Sequence, residues 1–446
     1  MRWISSVALL ALPAVAAGGT MAEAVQIALT DCQARPAAQY TRYLWIGHLP
    51  QKNQDDLRKI LGFWCNALST EPEIVVPRQV TPDLLAISIL DYGWSRETWD
   101  SLSEADVYFH TRLETVVERK VVKVKKKWPG GPDKTGRVFA AGTEYEVEEV
   151  KEEKRVVNAL APWLGSKETL AKLVEATQSQ APILRGDWFL AQTAIQADRK
   201  PGYYDFLGLT NQKAMEDLAG LDKKAKAATF RELREAVAIS IVTQKPRRIA
   251  AYAAISGRVY QTFDSAKAVD KHNPLRVLDD ALEHDASEIF FRLPNDLWGT
   301  FLVSSKGERQ DSAPDSIASD ATAPGTDRRV HVGLSCFRCH SDGGMQDIHG
   351  WARTLFQAPR ALSSPDPEKL KELSRWYLRE IQGPITDDRA VFARALKKAN
   401  GLEPKENAKL LGQVWADYIE APVTVDVAAR ECGVTKDAFL KALEGQ

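Results

Sequence analysis

Residues 334–342 read Leu-Ser-Cys-Phe-Arg-Cys-His-Ser-Asp. Cys336, Cys339 and His340 form a C-x-x-C-H run, the spacing at which a c-type haem is attached to a chain. The spacing has a mechanical reason. Two thiols three residues apart lie on one side of a helical turn, where each can form a thioether with a vinyl group. The adjacent imidazole then projects toward the iron as its proximal ligand. With 5 cysteines and 7 histidines in 446 residues, chance would supply the run in only about one chain in a thousand of this composition. Other uses of the residues fit less well. A zinc site needs four ligands, and no second Cys or His pair stands at regular spacing. A thioredoxin-like C-x-x-C follows a strand, whereas Pro324 to Arg329 reads as loop. A plain disulfide leaves His340 unexplained. One covalently attached haem c is therefore the expected cofactor.

The opening residues carry an address that agrees with this. Met1 and Arg2 are followed by an apolar run from Ile4 to Ala17 and then by small residues, the order of a secretory leader. Cleavage is expected after Ala17 or after Ala24, the second preceded by an A-x-A pattern, and the leader is assigned to residues 1–24. The apolar run is shorter than the roughly 20 residues that span a bilayer, and no other stretch approaches that length, so no integral membrane span is expected in the mature chain. The mature protein is expected to be soluble and periplasmic or secreted, in a bacterium. In an oxidising compartment Cys32 and Cys65 could pair, but Cα separation decides that, and unpaired thiols stand equally. With 59 basic and 60 acidic side chains, the chain has no general attraction for nucleic acid, and none is expected as a partner.

On Cys336, Cys339, His340 and the helical tail after them, the chain resembles a monohaem c-type cytochrome domain. Arg42-Tyr43-Leu44-Trp45, Tyr92-Gly93-Trp94, Ala181-Pro182-Ile183-Leu184-Arg185 and Asp327-Arg328-Arg329-Val330-His331 resemble segments of large exported bacterial proteins with a single haem motif in their last third. The second resemblance covers most of the chain and implies no particular activity. Small cytochromes of this kind place a ligand methionine some tens of residues after the motif, and this chain has none there.

The sixth iron ligand is thus open. Met345 lies five residues after His340 beyond a Gly343-Gly344 turn, and His331 and His349 lie nine residues before and after it. These three are the distal candidates. Met215, in helical register with Leu218 and Leu221, reads as core, and His48, His110, His272 and His284 are remote in sequence. Arg328, Arg329 and Arg338 are candidates to pair with haem carboxylates, and Trp351 to pack on the haem edge; surface charge and ordinary packing explain them as well.

The expected fold class is mainly α with minor β. Residues 25–303 read as a mainly helical region, 304–329 as an irregular Ser/Asp/Pro-rich segment, and 330–446 as an all-α cytochrome c-like haem domain. Helices are expected near 53–68, 165–178, 186–196, 211–220 and 223–239, and strands near 84–91, 255–263 and 299–304. In the tail, Leu370, Leu373, Tyr377 and Ile381 mark one helix, Thr386 is expected to cap a second that ends at Asn400-Gly401, and a third runs from about Glu406 to Ile419. Thr424–Leu443 reads as a packing hairpin rather than a DNA reader. Basic residues 119–127 and glutamate-rich residues 144–153 alternate with period two, and a charge-complementary antiparallel ribbon is expected over 116–157, with docking of an acidic partner as the lesser use of the lysines.

The function expected from these residues is single-electron transfer by an exported c-type cytochrome, with a redox protein as partner. Two alternatives stand beside it: a peroxidase-like haem oxidoreductase with an open distal site, for which His331 or His110 would be the acid–base group, and a non-catalytic haem sensor or interaction module.

Overall fold

The computed structural model describes residues 19–105, 112–132, 134–159, 165–196, 200–221, 232–240, 243, 245–320, 323, 328–340, 344–363, 366–377, 380–431 and 434–444. Two compact units emerge, Asp106–Pro162 and the remainder of the chain. Residues 1–18, His110 and Cys432 lie outside the described residues. Among the described residues no helix is long and apolar enough to cross a membrane.

The first strand, β1 (Thr41–Trp45), is buried along its whole length, as expected for Tyr, Leu and Trp in a strand covered on both faces. It pairs antiparallel with β3 (Leu84–Ser88), which in turn pairs with β2 (Arg78–Thr81). Between β1 and β2 the helix Gln51–Ala67 buries Leu57, Ile60, Leu61, Phe63 and Trp64 at helical spacing.

The second unit is the expected ribbon. Strands β4 (Arg112–Lys127) and β7 (Glu144–Ala159) pair antiparallel over 16 residues each, and the short β5 (Gly131–Pro132) and β6 (Val138–Phe139) close its tip. The register sets Lys123 opposite Glu148, Lys125 opposite Glu146 and Lys127 opposite Glu144. Lys126 also reaches diagonally to Glu149. Charge alternation in the sequence thus favours this register, because it sets three lysines opposite three glutamates along one face.

In the larger unit β8 (Ile183–Arg185) joins β1 in parallel, giving a four-stranded sheet of order β2-β3-β1-β8. A second sheet is an antiparallel meander of six strands in sequence order: β9 (Leu233–Val237), β10 (Arg247–Ala254), β11 (Gly257–Phe263), β12 (Ala286–Arg292), β13 (Trp298–Ser304) and β14 (Arg309–Gln310). This meander overturns the expectation of a mainly α chain. Helices hold 43% and strands 21% of the protein, which is mixed α/β. The helix expected over 223–239 is, at Leu233–Val237, strand β9. Arg-Arg-Ile-Ala-Ala-Tyr-Ala-Ala in β10 is rich in the best helix former, yet it is held on both sides by β9 and β11 and buried for six of its eight residues. Small side chains there admit close packing over the sheet, and that burial overrides local propensity.

The tail is helical as read: Pro367–Tyr377, Gln382–Asn400, Pro404–Trp415 with a π turn to Glu420, Val425–Glu431 and Lys436–Glu444. Thr386 does not cap the second of these. That helix starts at Gln382, so Thr386 lies inside it and donates its hydroxyl to the Gln382 carbonyl at 3.1 Å. One main apolar core takes in Leu44, Phe63, Trp64, Phe291, Phe301, Phe337, Phe392 and Trp415, so the tail shares its packing with both sheets.

Two buried charge networks join the tail to those sheets. Asp388 accepts from the Tyr260 hydroxyl at 2.8 Å and pairs with Arg258 at 3.1 Å and with Arg292. At the other sheet Arg185, ending β8, pairs with Asp187 at 3.1 Å and with Glu431 at 2.6 Å, and Asp187 meets His48 Nε2 at 3.0 Å. Burial alone would push the Asp187 carboxyl up. Arg185 and then His48 override that and hold it well below the usual carboxylate range.

Asp388→Ala should leave two guanidinium groups and a hydroxyl without their carboxylate and cost about 3–5 kcal/mol in urea unfolding. Because the folded-state pKa of Asp187 is depressed, its contribution is full above the unfolded value of about 3.9 and is lost as pH falls below it. The urea midpoint should therefore drop on acidification below about pH 4, and Asp187→Asn should be weaker at neutral pH with a flatter acid limb.

Candidate cofactor site

The motif occupies one short helix, Leu334–His340. Its seat is set by Gly333, which has φ +82° and bridges to Ile195; a Cβ there would stand 2.3 Å from the Ala194 carbonyl oxygen. Only glycine meets both demands. The first turn closes through Ser335 N–H to the His331 carbonyl at 3.0 Å and Phe337 N–H to that of Gly333 at 2.9 Å. Phe337, between the two cysteines, enters the core and meets Phe63, Trp64 and Tyr203 edge-on, with ring centroids 5.9, 5.3 and 5.9 Å away.

Residues three and four apart on a helix share a face, so anchoring Phe337 inward sets where Cys336, Cys339 and His340 lie. Neither cysteine is in a disulfide. Cys336 is only 2% exposed and lies by Thr300 of β13. Burial, reinforced by the charge of Glu288, pushes its thiol well above the ordinary range. Cys339 is half-buried, and its carbonyl accepts from Gln346 Nε2 at 2.6 Å.

The His340 Nδ1 stands 2.9 Å from the Gly344 carbonyl oxygen. A carbonyl only accepts, so Nδ1 carries the proton and the neutral ring has its lone pair on Nε2, the arrangement that suits a metal-ligating histidine. Phe290 of β12 lies against the same ring, centroids 4.1 Å apart. Gly344 in turn lies against Trp298, since a Cβ on it would come within 1.9 Å of the indole nitrogen. That indole Nε1 is buried without a hydrogen-bond partner, whereas the Thr300 hydroxyl is engaged by Cys336 and Tyr203. An unspent N–H beside the motif is what a carboxylate-bearing group would satisfy. The donor chemistry, the histidine tautomer and this indole fit a covalently held haem.

The distal candidates occupy three environments. His331 is half-buried just before the motif helix, Met345 is buried in the main core with its carbonyl accepting from Arg389 Nε at 2.7 Å, and His349 is exposed. Of the arginines, Arg338 pairs with buried Asp320 at 3.3 Å, whereas Arg328 donates to the Ala323 carbonyl at 2.6 Å and its side chain, like that of Arg329, is exposed. Trp351 is also exposed. His48, His272 and His284 belong to other neighbourhoods, beside Asp187, Glu283 and Phe263 respectively. Cys32 and Cys65 are both buried free thiols, unpaired with each other. The sequence did not point to Phe290, Trp298 or Thr300, which reach the motif from strands about forty residues upstream; the only local signal was Gly344. The chain matches no family model, no curated protein and no solved structure.

A folded chain lacking haem should show unequal thiols. Iodoacetamide should modify Cys339 at least about tenfold faster than Cys336, Cys32 or Cys65, because it is the least buried of the four and burial holds the other three thiols protonated. Peptide mapping after short exposure measures this.

Proposed function

We propose that the chain is an exported c-type cytochrome that holds one covalent haem and passes single electrons to or from a redox protein. The observation that carries the reading is the single helical turn that holds two cysteines outside any disulfide and a histidine whose Nδ1 faces the Gly344 carbonyl. Bound haem supplies one-electron chemistry between ferric and ferrous iron. Cys336 and Cys339 would tether it and His340 would ligate its iron, with the Gly344 carbonyl fixing the imidazole tautomer. Phe290 braces the imidazole ring. Trp298 would have an indole N–H to give to a carboxylate of the group. Asp320, holding Arg338, fixes one guanidinium close to the motif.

Burial of Cys336 adds an order of events. A thiol that is enclosed and held protonated is a poor nucleophile, so thioether formation belongs to the exported chain before this packing closes. The proposal also places the protein outside the cytoplasm, where c-type haem is attached and where the leader directs it.

Production with export and haem-maturation machinery should give a protein that keeps its haem on a denaturing gel and has a sharp reduced α band. Cys336→Ser with Cys339→Ser should abolish the covalent haem, and His340→Ala should keep the attachment while moving the visible spectrum. Absence of covalent haem from the unaltered protein under these conditions would refute the proposal.

A further inference from the structure

The sequence leaves two places for removal of the leader, and the structure separates them. Residues Gly19–Ala24 are built into the folded body. The Gly19 N–H donates to Asp83 Oδ2 at 2.9 Å, and the same carboxylate oxygen lies against Gly47, where a Cβ would stand 2.8 Å from it. Thr20 then caps the helix Met21–Gln33 through a reciprocal box. Its Oγ1 accepts from Glu23 N–H at 3.2 Å, while Glu23 Oε2 accepts from Thr20 N–H at 2.7 Å. The side chain of Met21 is 0% exposed and Ala24 is buried. On the outer side of this first turn Ala22 packs against Gly165, whose φ of +84° and 3.0 Å Cβ clearance leave no space for a side chain.

We infer that Gly19–Ala24 remain in the mature protein and that the leader is removed upstream of them, after Ala17. The inference rests on the proposal that the chain is exported. In the step itself water adds across the Ala17–Gly18 peptide bond, leaving a carboxylate on Ala17 and an ammonium on Gly18. Cutting after Ala24 instead would delete the capping box, the Gly19–Asp83 bond and the buried Met21, and would place a charged ammonium at Val25, which is itself 0% exposed. A helix of 13 residues would lose its first four. The A-x-A pattern at Ala22-Glu23-Ala24 is on this reading a helix turn whose small side chains serve packing.

N-terminal sequencing and intact mass of the exported protein decide the matter. A chain beginning at Gly18 is expected. A chain beginning at Val25, or one still carrying Met1, would overturn the inference and leave the export proposal standing, whereas a chain confined to the cytoplasmic fraction would overturn the export proposal itself. A second comparison tests the packing argument directly. Chains beginning at Gly18 and at Val25 are delivered behind the same foreign leader, and their thermal unfolding is followed by far-ultraviolet circular dichroism. The shorter chain should melt several degrees lower or fail to accumulate; equal midpoints would show that Gly19–Ala24 are dispensable and would overturn the inference.

Discussion

Phe337 is the residue on which the rest of the site turns. It is one of the two spacers in the C-x-x-C run, where the attachment chemistry itself makes no demand on the side chain. Yet it is the one that enters the core, against Phe63, Trp64 and Tyr203. Trp64 carries the contact further. Its indole donates to Thr193 Oγ1 at 2.8 Å and its ring meets Trp415 edge-on at 6.4 Å. Four helical segments far apart in sequence therefore lock together around one aromatic cluster. Aromatic side chains bury large areas with directional ring contacts, so this cluster fixes the rotation of the motif helix as well as its position. Removing the Phe337 ring would leave Cys339 and His340 on a seven-residue helix too short to hold its shape alone.

The charge networks answer a different problem. Apolar packing is weakly specific about register, and five tail helices could slide on two sheets at small cost. A buried carboxylate facing two arginines and a tyrosine resists sliding, because the displaced carboxylate would itself be left unpaired away from water. Asp388 pins the helix Gln382–Asn400 to β11 and β12 in this way. Arg185 pins Glu431 to the end of β8, and Asp187 extends the same network to His48 in the loop after β1. β12, held by Asp388 through Arg292, also supplies the ring that braces His340.

How much of this was legible in the sequence follows from the kind of signal each element carries. The ribbon and the tail helices were readable because half of each element faces water, so that polarity alternates with a period of two or of about 3.6. β1, β8 and β10 face protein on both sides, and a fully buried strand has no alternation to read. The alanines of β10 even pointed the wrong way, toward helix. The C-x-x-C-H run, from which the proposed haem reading is drawn, was readable because it sets rare residue types at a fixed spacing. Its surroundings were not, since Phe290, Trp298 and Thr300 become neighbours of Cys336 and His340 only through the pairing of β12 with β13. The buried pair of His48 and Asp187 was invisible for the same reason, being separated by 139 positions.

These neighbours bear on why so long a chain precedes the motif. A small carrier cytochrome, needing only about 100 residues, is enclosed by its own few helices. Here one flank of the motif helix is made by the central strands of a six-stranded meander and another by the helix Gln51–Ala67, so neither tail nor upstream region completes the site alone. The division of labour is physical. The tail brings the helix, the meander brings a flat and rigid wall carrying Phe290, Trp298 and Thr300, and the four-stranded sheet with its helix brings the aromatic socket for Phe337. A wall of paired strands moves less than a loop, because every backbone group in its centre is already committed to a neighbour. On the proposed reading, where an iron's potential would depend on ligand orientation, burial and nearby hydrogen-bond donors, that rigidity is what the upstream region would contribute. It also accounts for the burial of Cys336, since the wall that holds the site closes over the thiol nearest to it.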